Sequence, residues 1–230
     1  MLSGMFSMVS ADIGVNIGVS AQIGSMEAGG RETSTDVNSA AQVHKAEEAL
    51  FGTAGFFIEK DLAFLPGRLG DLGSRIHLGF DNIAHDLDLG TQGNVRSLTL
   101  GAKDGTGGRA RGVANRHSLN AKVTGFETIY ALVNVTDWLY VKAGEVTVDV
   151  DTKFVGTVTS SYKKNHSLDG TVLGFGLQHE TDNGLFVRLE YNDYDIDGKT
   201  VKNTGTDSKF SVTLNDVTGS TGRISIGKAF

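Results

Sequence analysis

The chain has no cysteine and a single proline among its 230 residues. Without cysteine, disulfides, thiolate catalysis and cysteine-ligated metals are all excluded. It also lacks any run near the roughly 18 apolar residues that a membrane-spanning helix needs. Basic blocks are missing too: 27 acidic residues outweigh 21 basic ones, for a net charge of −6. That balance argues against general nucleic-acid binding. Hydrophobic residues make up only 39%, which is little for one large globular core. A barrel in lipid reconciles such modest hydropathy with a membrane, because only every second residue then faces the bilayer.

What the chain does have is glycine, 31 residues of it, and period-two alternation. Ile13, Val15, Ile17, Val19, Ala21 and Ile23 alternate with small or polar residues. Phe56, Ile58, Leu62 and Phe64 oppose Glu59 and Asp61, and Ile76, Leu78 and Phe80 oppose Arg75, His77, Gly79 and Asp81. Lys122 to Val135 is less regular, with Phe126, Tyr130 and Leu132 on one parity and Glu127 on the other. After the turn at Thr136-Asp137, a strand runs from Trp138 to about Asp151; its parity drifts past Gly144, where a bulge is expected. Leu173, Phe175 and Leu177 lead into Thr181-Asp182-Asn183-Gly184, the strongest turn signal in the chain. Leu185, Val187, Leu189 and Tyr191 then oppose Phe186, Arg188, Glu190 and Asn192. The last strand ends on Phe230.

The count is eight strands. Long polar stretches near 29–50, 88–117, 152–167 and 196–208 alternate with short turns, and Ala40 to Leu50 has the composition of a short helix. This sorting of connections predicts an all-β, eight-stranded antiparallel up-and-down transmembrane barrel over residues 12–230. Residues 1–11 read either as a signal-peptide remnant, with Val9-Ser10-Ala11 as the small-x-small site, or as a frayed terminus.

Glycine normally weakens a strand interior, yet Gly14, Gly18, Gly79, Gly144, Gly174, Gly176 and Gly227 fall there. The lumen of an eight-stranded barrel only just holds side chains, and glycine alternating with long charged residues suits it. The expected lumen network is therefore Glu59, Asp61, Arg75, His77, Asp81, Glu127, Lys142, Arg188, Glu190 and Arg223, paired because isolated charges in a narrow interior are costly. Phe64, Trp138, Tyr140 and Tyr191, with Tyr194, are expected at two aromatic girdles, although Trp138 and Tyr140 share parity with Lys142.

With these residues in place the chain resembles the small eight-stranded outer-membrane barrels of Gram-negative bacteria, the opacity-protein and OmpA-transmembrane-domain type. The resemblance spans about residues 12–230. It is carried by Ile224-x-Ile226-x-x-x-Phe230, the two turns above and Leu185-Phe186-Val187-Arg188-Leu189-Glu190-Tyr191. It implies a porin-like surface protein of the bacterial outer membrane. It further implies that Ile224, Ile226 and Phe230 form the signal read by the barrel-assembly machinery. Lys228 departs from the apolar parity and is expected to snorkel.

The histidines, His44, His77, His85, His117, His166 and His179, have no metal-ligand spacing. Gly105-Thr106-Gly107-Gly108-Arg109 lacks the lysine and helix of a phosphate loop. No rim constellation of Ser/His or Asp/His type stands out, so no catalytic residue, metal or cofactor is expected. The leading expectation is a structural, surface-exposed barrel whose loops serve envelope integrity or adhesion-type contacts. Its partners would be outer-membrane lipid, the assembly machinery and an extracellular partner of unknown identity, with no nucleic acid. A narrow channel for ions or small solutes is the first alternative, and a soluble lipocalin-like ligand-binding barrel the second.

Overall fold

The computed structural model describes residues 13–34, 42–67, 72–83, 87–92, 117–156, 165–202 and 210–230. Eleven strands run through them: β1 (Val15–Ser34), β2 (Gln42–Asp61), β3 (Ile76–Ile83), β4 (Leu87–Gln92), β5 (His117–Asn134), β6 (Leu139–Gly156), β7 (Asn165–Glu180), β8 (Leu185–Ile196), β9 (Lys199–Lys202), β10 (Phe210–Leu214) and β11 (Val217–Ala229). Every ladder is antiparallel. The order β11-β8-β7-β6-β5-β3-β2-β1 closes on itself through β11–β1. These are the eight staves of a barrel. β4 extends the stave of β3, β9 that of β8 and β10 that of β11.

Closure rests on the final strand. Ile17 pairs Lys228 and Val19 pairs Ile226, while the backbones of Val15 and Phe230 exchange two hydrogen bonds of 3.2 and 2.9 Å. On the other flank Ile226 pairs Val187 and Arg223 pairs Glu190. The Asp182-Asn183-Gly184 turn joins β7 to β8. Gly184 takes a φ of 79° there, which a side chain at Cβ would penalise, and its N–H donates to Thr181 O at 2.8 Å. Among the described residues no helix is long and apolar enough to cross a membrane.

β1 and β2 are each 20 residues long, about twice the 9–11 that a tilted transmembrane strand needs. The surplus has a different surface. On β8 the outward residues are Leu185, Val187, Leu189 and Tyr191, followed by Asp193 and Asp195; the inward ones are Phe186, Arg188, Glu190 and Asn192, followed by Tyr194 and Ile196. β7 repeats the pattern. Leu177, Phe175 and Leu173 face out nearest its turn, then Thr171, Asp169 and Ser167, while Val172 and Leu168 are buried inside. β6 has Val141 and Ala143 outside, then Glu145, Thr147 and Asp149, with Lys142 inside followed by Val146 and Val148.

The barrel therefore has two storeys. The storey beside the short turns is apolar outside and polar inside. The storey beyond it is polar outside, and its interior is an apolar core of Ile83, Val123, Phe126, Val146, Val148, Leu168, Val172, Tyr194 and Ile196. Phe126 and Tyr194 meet there edge to face, with ring centroids 5.5 Å apart.

Several sequence expectations are corrected. The helix expected over Ala40 to Leu50 is replaced by strand in its described part: β2 begins at Gln42, and Glu48 to Leu50 pair with Glu27 to Ser25 of β1. Helical composition yields here to a ladder that offers every backbone group a partner. No register shift follows Gly144: one lies in β5 between Val123 and Gly125 and another in β1 between Ala28 and Gly30, and β6 keeps one parity from Tyr140 to Asp149. Strands also run into all four segments read as loops: β1 to Ser34 and β2 from Gln42, β4 to Gln92 and β5 from His117, β6 to Gly156 and β7 from Asn165, and β8 to Ile196 followed by β9. Residues 1–11, His85 and the Gly105–Arg109 segment lie outside the described residues.

Candidate functional site

The polar interior of the lower storey draws side chains from all eight staves. Its centre is a bidentate pair from β2 and β8: Arg188 Nη1 and Nη2 donate to Glu59 Oε1 and Oε2 at 2.5 and 2.8 Å. Tyr130 OH of β5 donates to Glu59 Oε1 at 2.8 Å, and Asn16 Nδ2 of β1 to Oε2 at 3.1 Å. Arg188 Nε donates to Gln178 of β7 at 2.7 Å. Its guanidinium lies over the rings of Phe186, Tyr140 and Phe57 at 4.6, 5.4 and 5.5 Å. Glu59 is 1% exposed. A carboxylate so enclosed persists as a charge only with this density of donors, since charge-assisted bonds must offset its lost hydration.

A second cluster sits on Glu190. Lys142 Nζ and Asn192 Nδ2 donate to its Oε1, each at 2.9 Å, and Tyr140 OH donates to Oε2 at 2.9 Å. Arg223 pairs with Asp81 and also approaches Glu190 at 3.7 Å. At the rim Lys60 holds Asp61 at 2.8 Å. His77 sits between Asn16 and Asn134, 3.5 and 3.2 Å from their amide nitrogens.

Glycine makes room for this arrangement. A Cβ at Gly79 would run into the Tyr130 ring, one at Gly176 into Tyr140, and those at Gly18 and Gly227 into Phe57 and Phe186. Each large ring lies across the bare backbone of the neighbouring stave. That places Tyr130 and Tyr140 where their hydroxyls reach the two buried glutamates.

Of the ten residues expected in the lumen, Glu59, Asp61, Asp81, Lys142, Arg188, Glu190 and Arg223 are buried there, with His77 half-buried at the rim. Two are elsewhere. Arg75 is exposed in the turn before β3, where its backbone carbonyl accepts from Asn134 N. Glu127 faces outward and accepts from Asn82 at 3.2 Å. The parity of β5 is the reverse of the expected one: Phe126, Tyr130 and Leu132 point inward because aromatic bulk is what fills a lumen lined by glycine.

The girdle is corrected in the same way. Phe64, Trp138 and Tyr191 are exposed, but Tyr140 is 0% exposed and bonded to Glu190, and Tyr194 belongs to the apolar core. Trp138 precedes β6 in the turn, so the parity it shares with Tyr140 and Lys142 has no structural meaning. Ile224, Ile226 and Phe230 are exposed on the outer face. Lys228 reaches back to Asn183 O at 2.7 Å and lies 5.4 Å from the Phe230 ring. Tyr130, Tyr140, Asn16, Gln178 and Asn192 were not foreseen as partners of the network. The available signal was the parity of Tyr140 with Lys142.

No protein-family model matches the chain, and no curated protein matches it. Solved structures similar to it include the outer membrane protease OmpT of Escherichia coli, at 9% identity and a TM-score of 0.48 over 94% of this chain and 97% of that one. The attachment invasion locus protein Ail of Yersinia pestis is 10% identical with a TM-score of 0.29, over 89% and 97%. The Pseudomonas putida toluene transporter TodX is 7% identical with a TM-score of 0.26, over 96% and 91%. The three are named for different activities, and at such scores the likenesses carry no argument about this chain.

Proposed function

We propose that this eight-stranded antiparallel barrel, with its exposed apolar belt turned to the lipid of a bacterial outer membrane, is a plugged, surface-exposed anchor. Its upper rim serves adhesion-type contacts or envelope integrity rather than passage of solute. The observation that carries this reading is the filling of the lumen. A permeating ion would have to part the Glu59–Arg188 and Glu190–Lys142 pairs, and then cross the packed core of Val146, Val172 and Leu168. Breaking a buried pair costs about 3–5 kcal/mol, and an apolar constriction resists hydration. The two obstacles act in series.

The same reading assigns no catalysis to the lumen. Glu59 and Glu190 are each held by a cation and a tyrosine hydroxyl, an arrangement suited to fixing a charge rather than to exchanging protons with a substrate. The segments that join the staves above the upper storey would make the contacts with a partner. Ile224, Ile226 and Phe230, outward on the closing strand, would be the handle for the assembly machinery.

Purified protein in planar bilayers tests the proposal. Membranes that stay at baseline conductance are expected. Steady, ion-selective steps that change when Arg188 or Glu190 is charge-reversed would overturn the plug and favour a channel.

A further inference from the structure

We propose that His77 is a proton-responsive element of the lumen, and that protonating it releases one of the bonds that hold the Glu59–Arg188 pair. It regulates the network that the plugged reading identifies and rests on that reading only for its meaning. The argument begins with the amide of Asn16. Its Nδ2 lies 3.1 Å from Glu59 Oε2. A carboxylate only accepts, so the nitrogen and not the oxygen of that amide must face it, and the orientation of Asn16 is fixed. The same Nδ2 lies 3.5 Å from His77 Nδ1. His77 Nδ1 therefore meets a donor and must present its lone pair.

A neutral ring then carries its proton on Nε2, where Asn134 is 3.2 Å away. Among the described residues His77 is the one hydrogen-bond partner shown for the Asn134 side chain, and turning it brings its oxygen to the Nε2–H. Neutral His77 is thus fully compatible with Asn16 on Glu59. The imidazolium is not. A second proton, on Nδ1, would face the N–H of Asn16, donor against donor. The conflict ends only if Asn16 turns its oxygen to the ring, and that takes its nitrogen away from Glu59.

The groups facing the ring come from several staves. Glu59 and Asp61 on β2 favour the added charge, while Lys60 on β2 and Arg188 on β8 oppose it. β1 contributes the neutral Asn16, and β5 contributes Asn134 and, through Glu59, the Tyr130 hydroxyl. On protonation Glu59 keeps Arg188 and Tyr130 and loses Asn16, so the pair loosens without parting. His77 lies near the short-turn end, which in barrels of this kind faces the periplasm. It would therefore report acidity on that side.

Side-chain NMR on the full chain in lipid nanodiscs tests this between about pH 4.5 and 8.5, a span set around the ordinary histidine range. His77→Gln identifies the His77 signals among the six histidines. The expected result is that the Asn16 Nδ2 and Arg188 Nε resonances shift with the same midpoint as the His77 ring. In Asn16→Ala the ring should still titrate while the Arg188 shift is lost. If the ring titrates in the unaltered protein with Asn16 and Arg188 unmoved, or does not titrate across the range, the proposal is overturned. Conductance steps in planar bilayers would overturn the plug and leave this coupling standing, so the two failures are separable.

Discussion

The two storeys share eight staves, one alternation and one closure, yet they solve opposite solvation problems. Below, Leu189 and Ile226 face out, and the charges of Glu59, Arg188 and Glu190 face in. Above, Asp193 and Asp195 face out while Val146 and Ile196 are buried. The lower storey has the polarity of a membrane barrel and the upper one that of a soluble barrel. A period-two pattern thus specifies two faces without specifying their solvents. Lipid turns the apolar face outward; where water resumes, the hydrophobic effect turns it inward. The outer boundary of the bilayer accordingly falls where Tyr191 gives way to Asp193.

The cohesion of the storeys differs as well. The lower one is held by a few directional bonds, so its response to mutation should be concentrated on a few residues. The largest expected effect is at Arg188: replacement by methionine leaves the Glu59 charge buried with Tyr130 and Asn16 alone, and costs about 3–5 kcal/mol in urea unfolding from lipid vesicles. A paired Glu59→Gln with Arg188→Met should recover much of that loss, and no recovery would break the account of the pair. The outer wall gives the next largest contrast. Leu189→Arg should cost about 2–4 kcal/mol at mid-membrane depth, whereas Asp195→Arg, on the same stave and parity, should change stability by less than about 0.5 kcal/mol. Equal costs would mean that lipid reaches both.

Smaller effects sharpen the picture. Tyr140→Phe removes one donor from Glu190 while Lys142 and Asn192 remain. A loss of about 1.5–3 kcal/mol is expected, the range for a bond to a charged group. Glu127→Gln should be nearly silent, within about 0.5 kcal/mol, because this carboxylate faces out with Asn82. A large loss there would return Glu127 to the lumen.

Much of the lower storey could be read from residues. The Asn183-Gly184 turn, the strict alternation of β7 and β8, and the alternation of the last strand up to Phe230 are local features with local causes. Glu59, Arg188 and Glu190 followed from parity opposite leucine and isoleucine. What could not be read depended on the neighbouring stave. Parity alone puts Tyr140 in a girdle and Tyr130 opposite Glu127, and only their register against Gly79 and Gly176 shows why bulk belongs inside. The stretch from Ala40 to Leu50 is helical by composition, and its strand exists because β1 supplies the partner. The upper storey was hidden for a further reason: valine alternating with aspartate looks the same whether the valine meets lipid or a core. The soluble-barrel alternative, set aside for the chain as a whole, describes the polarity of that storey.

The inversion can be measured directly, because a chain without cysteine accepts single labels cleanly. A fluorophore on Leu189→Cys and another on Asp195→Cys, in vesicles, would be exposed in turn to brominated lipid chains and to aqueous iodide. The account predicts quenching by the brominated chains at position 189 and by iodide at position 195. Lipid quenching at both positions would place the upper storey inside the bilayer and contradict the two-storey barrel.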